Sequence, residues 1–214
     1  FFLIIILWSL FQHKEIFTRT NLSLICIVSL INIFLLLGAH HNRPDALLYH
    51  LPYIATLNEE KIIFGLNNIN YRFGHTAIVQ YVSAISNNYV FGMNGISLNL
   101  PVAFGSLIYF FYKEINKNRN DLLKLVSVFL LCVILIKFYR VSEYGNDYWA
   151  HFYFILGFYL ILKALTQKKI NYEDFFKIST ILMFAFLNKI FFVIGGIFLL
   201  YLILKFKKFT YLYN

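Results

Sequence analysis

Asp45 stands four residues before Tyr49 and five before His50, inside residues 40–84, the longest polar segment of an otherwise apolar chain. On a helix, positions i and i+4 stack on one face. With Pro44 at the first turn, where proline is readily accommodated, Asp45, Tyr49 and Pro52 would share a face, with His50 beside them. A carboxylate so placed can take a proton from a hydroxyl as general base, or hold a metal. Equally, it can be a solvated residue at a helix start, favoured there by the macrodipole. The segment also holds His40, His41, Arg43, Glu59, Glu60, Arg72 and His75. His50 and His75 are candidate metal ligands or hydrogen-bond partners, whereas His40 and His41 read as interfacial.

A second acidic group, Glu143 and Asp147 in SEYGND, has i, i+4 spacing, although Gly145 interrupts any helix there. Two acidic loops on one side of a protein can close over one pocket. The cations beside them are Arg72, Arg140 and Lys189. Lys189 reads either as a lysine snorkelling from a helix end or as a phosphate ligand.

These residues must be positioned by apolar elements. Of 214 residues, 60% are hydrophobic and 20% aromatic, against about 45–50% apolar in soluble domains. The composition therefore describes a membrane protein. The net charge of +9 suggests nucleic acid at first, but the basic residues punctuate apolar runs and form no stripe, as expected of cytoplasmic loops. Cys26 and Cys132 each lie within an apolar run and read as packing residues. The first residues carry no signal-peptide pattern, and the chain begins without methionine inside an apolar run, so a fragment is expected.

Apolar runs of spanning character, which need about 20 residues, occupy 1–11 (the tail of one), 21–39, 96–112, 122–138, 149–165, and a pair, 175–187 and 190–206, broken by Asn188-Lys189. Pro101 and Gly105 predict a kink. A mildly apolar helix is expected over 76–85. With the 12–20 loop on the cytoplasmic side, 13 of the 19 Lys and Arg fall on that side, which turns residues 40–95, the 139–148 loop and Lys189 outward. The expected fold is an all-α polytopic transmembrane helix bundle, a single domain over 1–214 with an extracytoplasmic helical loop after the second span.

An acidic residue in the first outward loop and another in a later one resemble the GT-C superfamily of integral-membrane glycosyltransferases. More narrowly, Asp45-Ala-Leu-Leu-Tyr49-His50, Gly65-Leu66-Asn67-Asn68 and Arg72-Phe73-Gly74-His75, followed by Asp147 and Lys189, resemble an uncharacterised family of bacterial multi-pass GT-C-like proteins. The resemblance spans Asp45 to Lys189. It implies inverting sugar transfer from a polyprenyl-phosphate-linked donor to a lipid or glycan acceptor of the cell envelope, at the periplasmic face of the bacterial inner membrane. It makes Asp45 and Asp147 catalytic. Tyr49, His50, Arg72, His75, Arg140, Glu143 and Lys189 would bind substrate, with Lys189 or Arg140 on the lipid phosphate. A divalent metal cofactor is left open. The alternatives are a multi-pass transporter or polysaccharide-handling protein without transferase chemistry, and a structural membrane subunit. Transporters carry ionisable groups at mid-membrane, whereas here the acidic residues gather in outward loops.

Overall fold

The computed structural model describes residues 26–27, 30, 45–59, 64–74, 77–86, 96, 99–136, 144–145, 147–168 and 170–206. The architecture is all-helical, with no strand among the described residues. The expected spans at 1–11 and 21–39 lie essentially outside them.

Two helical hairpins form the body. Helix α4 (Asn99–Lys117) turns through three residues into α5 (Asp121–Ile136). Asn120 stops the turn by accepting the Leu123 N–H with its side-chain oxygen at 3.1 Å, which satisfies one of the unpaired donors at a helix start. Helix α4 runs unbroken through Pro101 and Gly105. Pro101 is its third residue, where a missing backbone N–H forfeits no intrahelical bond. The second hairpin joins α6 (Asp147–Gln167) to α7 (Tyr172–Asn188). Asn171 caps α7 by accepting the Asp174 N–H at 2.6 Å, and Glu173 and Asp174 in the first turn suit its dipole.

Helix α6 is the hub and packs against α4, α5, α7 and α8 (Gly195–Lys205). Its Phe152 and Tyr159 enter a core with Phe104, Phe111, Leu123 and Ile134, while Ile161 joins Ile178, Leu182 and Leu202. Gly157 permits the close approach of α7: a Cβ there would lie 2.6 Å from Leu182 Cδ2.

A smaller helical layer crosses one end of the hairpins. A π-helical turn, Ala46–His50, leads into α1 (Leu51–Glu59), which packs on α3 (Ile78–Ser86). Between them lie the short α2 (Leu66–Ile69), entered through Gly65 at φ +82°, and a 3-10 turn, Tyr71–Gly74. Only glycine takes that left-handed φ without strain.

One helix among the described residues, α6, is long and apolar enough to cross a membrane, and Ile190–Lys205 is a shorter apolar stretch. Helix α4 counts Lys113, Glu114 and Lys117 within its 19 residues, and α5 has 16, so neither offers a full-length apolar run. Helix α5 nevertheless exposes Leu122, Leu125, Phe129 and Ile136, each at 60–69%.

Candidate functional site

Charged residues are sparse in this chain, and four of them meet where the small layer lies on the hairpins. Helix α7 ends at Asn188. Lys189 follows in an extended conformation (φ −152°, ψ 118°), and a 3-10 turn, Ile190–Ile194, leads into α8. That interruption brings Lys189 Nζ to the Asp147 carboxylate at 2.8 Å. Asp147 is the first residue of α6, two residues ahead of the expected apolar run. Across the cavity, Arg72 Nη1 meets the Asp45 carboxylate at 2.7 Å. Arg72 Nε also donates to the Tyr71 hydroxyl at 3.1 Å, and its guanidinium lies 4.8 Å from the centre of the Tyr49 ring, a distance at which cation–π attraction acts. Asp45 and Tyr49 therefore grip the same arginine, as their shared face predicts.

The cavity has a volume of about 730 Å³ and is lined by Tyr49, Tyr71, Arg72, Asp147 and Lys189 on its polar side and Phe186, Leu187 and Ile190 on its apolar side. Small-molecule sites occupy about 300–1,000 Å³. Burial, then the Asp45 carboxylate, pushes the Tyr49 phenol above its ordinary value, so it faces the cavity as a neutral hydroxyl.

His50, expected among the substrate-binding residues, lies behind this wall and does not line the cavity. It is 3% exposed. Its role is set by Gln80, whose Oε1 accepts the Ala77 N–H at 2.9 Å. The Gln80 amide nitrogen must then be the atom 3.0 Å from His50 Nδ1, so Nδ1 accepts and the ring proton sits on Nε2. Burial holds this imidazole down at about 4, against the opposing pull of Asp45 and Asp147. Tyr144 packs edge-on to the same ring at 5.7 Å, donates its hydroxyl to Ser83 at 3.0 Å, and is pushed up to about 12 by burial.

Asn188 fastens the small layer to the hairpins. Its Oδ1 accepts the Val79 N–H at the start of α3 (3.0 Å), and its Nδ2 donates to Phe184 O (2.8 Å). The sequence marks Asn188 only as a break in an apolar run, and gives no sign of Gln80 or Tyr71, because what they do is defined by partners distant in sequence. His75, Arg140 and Glu143 lie outside the described residues.

Asp45 and Asp147 each already face a cation, and no group of three or more His, Cys, Asp or Glu residues able to hold a metal occurs among the described residues.

Residues 1–213 match a family described as a domain of unknown function, DUF8201. The chain belongs to that family. No curated protein and no solved structure matches it.

Proposed function

We propose that this DUF8201 protein is a multi-pass membrane glycosyltransferase of GT-C type that takes a sugar from a polyprenyl-phosphate-linked donor at the extracytoplasmic face. The observation that carries the reading is the cavity itself. One carboxylate, Asp147, and two cations, Arg72 and Lys189, line it beside an apolar wall at Phe186, Leu187 and Ile190, and a second carboxylate, Asp45, is held at its edge by Arg72. A lipid-linked phosphosugar has this division of chemistry: an isoprenoid tail, an anionic phosphate and a polar sugar. The exposed apolar stripe of α5 and the one-sided Lys and Arg distribution fit a bundle lying in lipid with its cavity outward.

In this reading Asp45 removes the proton of the acceptor hydroxyl as that oxygen attacks the anomeric carbon. The bond from that carbon to the phosphate oxygen breaks, its electron pair leaves with the phosphate, and Lys189 neutralises the developing charge. Asp147 orients Lys189 through their ion pair. Asp45→Asn keeps the shape and removes the base. Donor turnover in membranes containing the full chain should then fall by about 10²–10⁴-fold, and wild-type turnover by this variant would end the assignment.

The transporter alternative draws on a different cluster. Lys163 of α6 donates to both oxygens of Glu114 on α4 at 2.9 and 2.8 Å, and the buried Tyr159 hydroxyl donates to Glu114 at 2.6 Å. Ionisable groups set between apolar helices are what a transporter would use, and such a protein would depend on Glu114 rather than on Asp45.

A further inference from the structure

The transfer reading leaves open how a base already held by a cation becomes free to act. Resting on that reading, we propose that Arg72 and Lys189 form a two-cation cradle for a phosphate group, and that a phosphate seated between them displaces Asp45 and Asp147 from their ion pairs.

Each cation lines the cavity and holds one carboxylate through one nitrogen: Arg72 Nη1 on Asp45 and Lys189 Nζ on Asp147. Arginine has five N–H donors and lysine three. Arg72 gives Nη1 to Asp45 and Nε to Tyr71 and also hydrogen-bonds Tyr49, so with five N–H donors it can receive an incoming anion before the carboxylate leaves. Tyr49 and Tyr71 keep the guanidinium in place through that exchange, by ring contact and by the bond to Nε. The side chains of both pairs are substantially exposed, 37% and 56% for Arg72 and Asp45, 41% and 51% for Lys189 and Asp147. Ion pairs this open to water are weak, so opening them is easy. A phosphate brings more charge than a carboxylate and more acceptor oxygens. The wall at Asp147 is also the start of the 21-residue helix α6, whose dipole favours an anion. The two carboxylates thus occupy the cation sites that phosphate oxygens would take, and the base is released from its ion pair only once the phosphate is seated. The donor would therefore bind first.

Carbodiimide-driven coupling of an amine to carboxyl groups, read by peptide mass spectrometry on the full chain in detergent, tests this. Farnesyl phosphate should raise coupling at Asp45 and Asp147 severalfold, and farnesol should not. If inorganic phosphate alone does the same, the cradle takes free phosphate; if only farnesyl phosphate does, it takes a lipid headgroup. Arg72→Ala should give high Asp45 coupling without ligand and no further response, with Lys189→Ala doing so at Asp147. Unchanged or decreased coupling with both phosphates would overturn the proposal, as would an Asp45 response that survives Arg72→Ala in a variant with wild-type thermal melting. The two readings fail separately. A phosphate response with full turnover by Asp45→Asn keeps the cradle and ends the transfer role. No response with an inactive Asp45→Asn does the reverse.

Discussion

A single backbone donor, the Ala77 N–H, fixes the Gln80 amide and through it the tautomer of His50. Protonating Nδ1 would set two donors face to face in a buried place. The imidazole therefore stays neutral down to about pH 4 in the fold, whereas an unfolded histidine titrates near 6.5. Between those values the unfolded chain binds the extra proton, so stability from this group is complete above pH 6.5 and is lost as pH falls toward 4. We expect a loss on the order of 2 kcal/mol, discounted for residual solvation, between pH 7 and 4.5. Thermal melts in detergent across that range should show the slope, and His50→Gln should flatten it; an equal slope in the variant would remove His50 as its source. Asp45, Tyr49, Arg72, Asp147 and Lys189 were legible in the sequence because a charge among apolar runs is conspicuous and its spacing from Tyr49 is helical. The burial of His50 behind the wall was not legible, since a histidine next to a pocket residue gives no sign of which side it faces.

Two contacts decide how the elements sit. Helices α6 and α7 meet at Gly157, where an added methyl would strike the Leu182 side chain, itself 3% exposed in the core. Overpacking of this kind costs about 1–3 kcal/mol, more than the 0.5–1 kcal/mol that alanine gains over glycine in a helix. Gly157→Ala should lower the melting temperature, and the loss should shrink in the Leu182→Val background; a stabilised Gly157→Ala would contradict this packing. At the other contact, Asn188→Ala leaves the buried Val79 N–H without its acceptor, at a cost of about 1–3 kcal/mol. Because that bond ties α3 to the break presenting Lys189, the variant should also weaken the response to farnesyl phosphate. Stability without loss of that response would separate Asn188 from the site. The helices α4 to α8 follow the apolar runs within a few residues, because run length and polar interruptions define them locally. The π turn at Ala46–His50 and the short α2 were not legible, since tertiary contacts select them over a plain helix.

At the scale of the whole molecule, α6 carries one polar cluster at each end. Asp147 opens it at the cavity, and Lys163, sixteen residues on, joins Glu114 and Tyr159. At 1.5 Å per residue these lie about 24 Å apart, close to the depth of a bilayer's hydrocarbon core, about 30 Å. In a background with Cys26 and Cys132 replaced by serine, Ile190→Cys should react with an impermeant maleimide on intact cells and Lys168→Cys only after lysis; the opposite pattern would invert the orientation. In the proposed function, chemistry happens at the Asp45 end and the Glu114 end is structural. The most direct test is turnover of a polyprenyl-phosphate-linked sugar by membranes carrying wild type, Asp45→Asn or Glu114→Gln at equal protein level. Asp45→Asn should lose about 10²–10⁴-fold, with near wild-type turnover for Glu114→Gln. Full turnover by Asp45→Asn would contradict it.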